Sequence, residues 1–286
     1  MGLLVYFVKN ILSIYSNPKK DLITAGDYYR LISYLPKLGY KKIFWFTDKK
    51  NHKYLKLSDR IDRFFLYNSK NSRNNLLKSS LIIDLFNKKK KYPNTLLLNN
   101  ILDTNINIKQ NTVNLFDKLD DYFNIKLKNK IFSNKSKKNN SKNYIFFNWI
   151  VPKKWEIKSY PFRDWIEIEK KINSENKNLT VIWQKKSDTM AEYLKKIKES
   201  KIILTINGFG CHAAMLLNKP QIILTGPTFF DEMKLYKKTI MIKPANYCEI
   251  RPCNLPNGIA FCGCMGFINH ELVYKKILYL LSKLRK

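Results

Sequence analysis

Cysteine is scarce and placed late: the 286 residues hold five, Cys211 followed by Cys248, Cys253, Cys262 and Cys264. Their spacing, C-x4-C-x8-C-x-C for the last four, lacks the paired C-x2-C knuckles of a zinc ribbon. A reduced structural cluster or an adventitious disulfide is therefore expected there ahead of a metal. Acidic residues are also in short supply, 22 against 53 Lys plus Arg, which leaves a formal charge of +31. Long apolar runs are missing as well. The stretch MGLLVYFVKNILSIY, with Lys9 as its one charge, is too short to cross a hydrocarbon core of ~30 Å as a helix. No basic segment precedes it and no small-residue cleavage site follows, so it does not read as a secretory signal. Tyr6 stands where N-myristoylation would need Ser or Thr. A helix packed on the body is expected here, with an in-plane membrane anchor flanked by Lys19 and Lys20 as the alternative. With no leader, the thiols are expected in a reducing compartment and the chain in the cytoplasm.

What is present excludes disorder. Hydrophobic residues make up 45% of the chain and aromatics 14%, enough to build a proper core despite the charge. The basic excess has two readings. One is a general Lys/Asn/Ile bias, since these residues recur along the whole chain. The other is an anionic partner, either nucleic acid or an acidic membrane surface.

From Asp21 onward the pattern alternates as in an α/β protein. A short apolar piece leads into Ala25-Gly26-Asp27, and DYYRLISYLPKLG follows with helical spacing, ending on Gly39. KKIFWFT and RIDRFFLYN read as strands, LLKSSLIIDLF as a helix, TLLLNNI as a strand and TVNLFDKLDDYF as an amphipathic helix. Residues 126–143 are polar and basic, with little periodicity, and read as a linker. A second α/β half then begins with the strand YIFFNWI, followed by helix FRDWIEIEKKI, strand LTVIW and helix DTMAEYLKKIKES, the last opened by a capping box of Thr189 and Glu192. A Cys-rich loop and a final helix, ELVYKKILYLLSKL, close the chain. The expected organisation is an apolar extension over 1–20, a first domain over 21–125, the linker over 126–143 and a second domain over 144–286.

Between the apolar runs IILTI and QIILT lies the turn Asn207-Gly208-Phe209-Gly210-Cys211-His212, which continues into an Ala-rich helix. This is a βαβ unit of a parallel sheet, with the turn at a strand's carboxyl end and a helix's amino end. There, main-chain N–H groups and about half a positive charge from the helix dipole face outward, and a phosphate is the natural occupant. The plain alternative is a tight βα turn with His212 as an interior helix residue.

H-A-A-M-L-L-N-K-P, the following apolar strand and Gly226-Pro227-Thr228 resemble the carboxyl-terminal signature of the heptosyltransferase-like glycosyltransferases, family 9. Three further stretches match in order. Lys158-Ser-Tyr160-Pro161-x-x-x-Trp165 resembles the family's K-x-W-P-x-x-x-W, and Thr24-Ala-Gly26-Asp27 its Gly-Asp after the first strand. Cys248, Arg-Pro-Cys253 and Cys264-Met265-x-x-Ile268 resemble a Cys-Pro-Cys and C-M-x-x-I tail. The resemblance implies a GT-B architecture, two Rossmann-like domains facing a cleft, and inverting, metal-independent transfer from a nucleotide diphosphate sugar, an ADP-sugar first among donors. It makes Asp27 the general base and Lys158 the donor phosphate-binding lysine. It sets Asn207, Gly208, Phe209, Gly210, Cys211, His212 and Thr228 beside the donor. Asp27 would otherwise be an N-cap.

Two departures bear on this. Asn207 stands where the family has Asp, and Phe209 where it has Gly, with glycines displaced to either side. The second domain also reads as one βα unit short between Trp183 and Asp188, where the family carries an acidic residue near the nucleoside. The implied acceptor is a bacterial surface glycan or glycolipid, whose anionic, membrane-tethered nature would account for both the basic surface and the apolar amino end. Two alternatives stand beside this reading: a degenerate GT-B protein that binds a nucleotide sugar without turnover, and a basic nucleic-acid-binding protein using Phe44, Trp45, Phe64 and Phe65 as stacking platforms.

Overall fold

The computed structural model describes residues 11–15, 31–32, 35–38, 40–47, 61–66, 81–84, 95–97, 141–227, 238–245 and 263–284. The chain divides into two compact units, residues 1–108 with 115–127, and 109–114 with 128–286.

The first unit is built on a wholly parallel sheet of β1 (Ile11–Tyr15), β2 (Lys42–Thr47), β3 (Arg63–Leu66), β4 (Leu81–Asp84) and β5 (Thr95–Leu97), in the order β3-β2-β1-β4-β5. Two sequence expectations fall here. Ile11–Tyr15 belong to no extension: they form the central strand, paired with β2 on one side and β4 on the other. LLKSSLIIDLF is not helical through its apolar part, because Leu81–Asp84 are β4. Both errors have one cause. A run of four or five residues such as ILSIY or LIID is too short for its period to separate strand from helix, and its partners in the sheet decide. The expected helix before β2 is represented by helical Leu31 and Ile32 and a 3₁₀ turn at Leu35–Leu38. Trp45 and Phe46 are fully buried, and Phe65 stacks on Phe46 with centroids 4.9 Å apart and meets Phe44 edge-on at 5.4 Å. Phe44 and Trp45 are thus core residues while Phe64 and Phe65 are half-buried, which counts against the exposed stacking platform of a nucleic-acid reading. The expected helix TVNLFDKLDDYF and most of the linker lie outside the described residues.

The second unit carries another parallel sheet: β6 (Tyr144–Asn148), β7 (Thr180–Trp183), β8 (Ile202–Ile206), β9 (Gln221–Leu224) and β10 (Thr239–Ile242), ordered β10-β9-β8-β6-β7. Its described helices are α1 (Phe162–Glu175), α2 (Met190–Glu199), α3 (Phe209–Leu216) and α4 (His270–Leu284). The strand β10, TIMI, was hidden in what reads as loop. The expected capping box is present: the Thr189 hydroxyl accepts from the Glu192 N–H at 3.3 Å, and the Thr189 N–H donates to the Glu192 carboxylate at 2.8 Å.

Side chains alternate between the two faces of this sheet. Ile145, Phe147, Leu204, Ile222 and Leu224 point to the layer where α1 supplies Trp165, Ile168 and Ile172, and α4 supplies Val273 and Ile277. Phe146 meets Tyr193 of α2 on the opposite layer, and Ile223 meets Cys211 of α3 there. Phe147 is the aromatic hub, 5.1 Å from the Trp165 ring and 5.0 Å from Trp183. Phe147→Ala should therefore cost about 3–5 kcal/mol, read as a lowered urea midpoint.

Lys219 gives a second test. It lies between α3 and β9, buried, with its ammonium donating to the Ser141 hydroxyl at 2.7 Å. Burial, then repulsion from Lys238, lower its pKa to about 8. A depressed lysine pKa means that the unfolded chain binds the extra proton, so this group's contribution to stability rises as pH climbs from about 8 towards 10.5. Lys219→Met should flatten that rise in denaturation midpoints measured across the same pH window.

Candidate functional site

The order β8-β6-β7 places the topological switch of the second sheet between β6 and β8. From β6 the chain moves outward through α1 to β7, then returns through α2 to β8 on the other side. α1 and α3 thus leave neighbouring strand ends on opposite faces, and the gap between them is where open parallel sheets hold ligands. The connection leaving β6 contains Lys158; the one leaving β8 is Asn207-Gly208. Topology alone brings these two sequence-predicted elements to adjacent strand ends.

A buried chain of hydrogen bonds spans this gap. The Tyr193 hydroxyl donates to Asn148 Oδ1 at 2.9 Å, Asn148 Nδ2 donates to Thr205 Oγ1 at 2.6 Å, and Thr205 Oγ1 donates to the Ile206 carbonyl at 2.9 Å. Asn148 ends β6, Thr205 lies in β8 and Tyr193 comes from α2, so three elements meet under the first turn of α3. Gly210 sits directly on the network. A Cβ there would overlap Asn148 Nδ2 and lie 2.6 Å from the Tyr193 hydroxyl. Sequence reading missed all three residues, although an Asn closing YIFFN and a Thr inside IILTI were the available signals: polar atoms in buried strands need partners.

The turn itself is part closed and part open. The Cys211 side chain is buried beside Ile223 and Met241, its thiol donates to the Gly208 carbonyl at 2.9 Å, and its N–H reaches the same carbonyl at 3.2 Å. Asn207 is buried, with its N–H bound to the Leu224 carbonyl at 3.2 Å and its Oδ1 lying 3.6 Å from the Cys211 sulfur. Phe209 stacks on Tyr193 with centroids 6.1 Å apart, which is where the ring that replaces the family's glycine goes. His212, fourth in α3, is half-buried. Gly208 is extended at φ 173°, and nothing lies within 4 Å of where its Cβ would be. The open side of the turn is therefore the Gly208 side, at the start of α3, although the Gly208 N–H itself turns to the Cys211 sulfur at 3.5 Å.

Lys158 ends a 3₁₀ segment, Lys153–Lys158, with its ammonium 4.6 Å from the centre of the Trp155 ring. A cation over an indole face is attracted by the ring's quadrupole. Just beyond, the buried Tyr160 hydroxyl donates to the Ile268 carbonyl at 3.0 Å. Burial, then the Asp164 carboxylate, push this phenol well above its ordinary range, so it remains a donor. Met265 and Cys264 pack on Gly226, where a Cβ would overlap the Met265 sulfur and lie 3.1 Å from the Cys264 sulfur. Three of the motifs singled out by sequence, those around Tyr160, Gly226 and Cys264-Met265-x-x-Ile268, are thus locked together at this end of the sheet.

Asp188, on the β7–α2 turn, is the acid nearest the stretch that reads as one βα unit short. Its carboxylate is held by the Lys196 ammonium at 2.6 Å and accepts from the Lys185 N–H at 2.8 Å, which makes it a brace for the turn. Asp27 and Thr228 lie outside the described residues, as do Cys248, Cys253 and Cys262. Among the described residues no group of three or more His, Cys, Asp or Glu is placed to hold a metal.

No family model matches the chain, and no curated protein does. Solved structures do. A family 9 glycosyl transferase from Veillonella parvula superimposes with a TM-score of 0.64 at 13% identity, covering 96% of this chain and 98% of that one. The chain has the fold of the heptosyltransferase-like glycosyltransferases. Escherichia coli ADP-heptose lps heptosyltransferase II gives a TM-score of 0.59 at 14% identity, over 97% of this chain and all of that one. The E. coli heptosyltransferase WaaC with ADP gives 0.54 at 11%, over 94% and 99%.

Two glycines separate support from opening. Gly210→Ala should destabilise by about 1–3 kcal/mol, because a methyl there strains Asn148 and Tyr193. Gly208→Ala should stay within about 0.5 kcal/mol of the parent, its methyl entering open space. Thermal and urea denaturation of the two variants check the contrast.

Proposed function

We propose that the chain is a glycosyltransferase of GT-B architecture, its two Rossmann-like units facing a cleft, that moves a heptose or related sugar from a nucleotide diphosphate sugar to a bacterial surface glycan or glycolipid. The observation that carries this is the open helix start at Gly208, set at the switch between β6 and β8, with Lys158 on the neighbouring connection. A solved structure of the same fold holds ADP, and another an ADP-heptose analogue, which favours an ADP-sugar as donor.

The proposed reaction is inverting. An acceptor hydroxyl attacks the anomeric carbon from the side opposite the diphosphate. As the new C–O bond forms, the bond to the phosphate oxygen breaks, its electron pair leaves with the nucleotide diphosphate, and the hydroxyl proton passes to the Asp27 carboxylate. Asp27 lies in the connection following β1, the central strand of the first sheet, so its assignment rests on the family resemblance and on chain position. Negative charge grows on the departing diphosphate. The α3 N–H groups and the Lys158 ammonium would stabilise it there, supplying the charge that a metal gives in other enzymes. Asn207 in place of an acid leaves amide hydrogen bonding and no repulsion of phosphate, which suits an anionic donor.

Asp27→Asn should abolish transfer while donor affinity, by calorimetry, stays within a few fold. Lys158→Met should weaken donor binding by tenfold or more and, among ADP-, GDP-, UDP- and CDP-sugars, remove the thermal shift that the parent shows with its own donor. Unchanged turnover in the Asp27 variant would exclude it from the mechanism. Donor binding by a parent that transfers to no acceptor would show a protein that only binds nucleotide sugar.

A further inference from the structure

We infer that the outer face of α4 is the surface by which this protein rests on an anionic lipid bilayer. The helix buries Val273, Tyr274, Ile277, Leu280 and Leu281 against the sheet and α1. Its opposite side exposes Leu272, Lys275, Lys276, Tyr279, Ser282 and Lys283, a set at helical spacing that forms a single stripe. Leu272 is 41% exposed and Tyr279 53%, large values for apolar side chains of their size. The ammonium groups of Lys276 and Lys283 lie 6.0 and 5.5 Å from the Tyr279 ring centre, so cations flank the ring along the stripe.

The stripe contains no acid. The helix's one carboxylate, Glu271, borders it one turn before Lys275 and is bound to the Lys171 ammonium at 2.6 Å. A uniform lysine bias does not account for this. The exposed side of α2 mixes Lys195 and Lys198 with Glu192, and that of α1 mixes Arg163 and Lys170 with Glu175. Among the described helices, only α4 joins exposed apolar groups to charge of one sign.

That combination selects the occupant. Phosphates of a nucleic acid would answer the lysines but offer nothing to Leu272. A bilayer answers both, with acidic headgroups for the ammonium groups and an acyl boundary for the leucine and the tyrosine ring. The stripe is about 16 Å long at 1.5 Å per residue, long enough for all three lysines to meet headgroups at once. The contact does not depend on the proposed donor site. It also moves the membrane contact away from the amino end, where Ile11–Tyr15 are committed to the sheet.

The test is partitioning of the full chain onto vesicles of phosphatidylcholine with phosphatidylglycerol, and of phosphatidylcholine alone. The parent should bind the first and not the second. A lysine near an acidic surface multiplies binding roughly fivefold, so Lys275→Gln, Lys276→Gln and Lys283→Gln together should lower it at least tenfold. The matched triple Lys177→Gln, Lys195→Gln and Lys198→Gln, which removes the same charge from exposed sites elsewhere, should lower it less than threefold. Leu272→Ser with Tyr279→Ser should weaken partitioning most at high salt, where the apolar contribution dominates. Melting temperature and donor affinity, expected unchanged in every variant, show that loss of binding is not loss of fold. Equal losses in the two lysine triples, or no partitioning by the parent, would overturn the proposal. So would an α4 triple that loses binding to a duplex oligonucleotide while keeping its hold on vesicles.

Discussion

The hydrogen bond from the Asn148 amide to the Thr205 hydroxyl ties β6 to β8 where the direction of the second sheet reverses. At that point no crossover helix covers both strand ends, so a ligand can approach and polar groups can be left bare. Tyr193 completes the bridge from α2, and Gly210 lays the first turn of α3 directly upon it. The position of that helix start, and so of every N–H it presents, follows from this contact. A larger residue at 210 would lift the helix; an apolar one at 148 or 205 would leave its partner buried without a hydrogen bond, at a cost of about 1–3 kcal/mol.

The rest of the strand-end region is shaped by packing and two well-placed polar contacts. Tyr160 binds the Ile268 carbonyl, and Met265 with Cys264 fills the space above Gly226. Motifs separated by about a hundred residues therefore act as one clamp on the connection that carries Lys158. The Lys158 ammonium lies over the Trp155 ring, whose face attracts it and helps to orient it. Cys211 ties the turn to the α3 layer from within, its sulfur in the core and its hydrogen bonds spent on Gly208.

Much of this was legible from composition and spacing. Nearly all the strands and helices of the second unit follow from alternation of apolar runs with helical periods, and the Thr189–Glu192 capping box was readable residue by residue. In the first unit the same rules failed at Ile11–Tyr15 and Leu81–Asp84. Runs of four or five residues show too little of a period, and only their partners across the sheet distinguish them from helix or extension. In the site, glycine content and turn position pointed to Asn207–Cys211, but not to which of these residues faces inward.

The sequence by itself determined the class of the fold, two parallel-sheet units, and the place of the glycine turn within one of them, because apolar period and turn chemistry are local properties. Only the tertiary structure decided that Asn148, Thr205 and Tyr193 support that turn, that Cys211 is its buried tie, and that Gly208 is its open side. It also decided that α4 gathers its exposed lysines on one acid-free stripe while α1 and α2 do not. These outcomes depend on which strands become neighbours and which helix faces are covered, and such long-range pairings leave no trace in spacing along the chain.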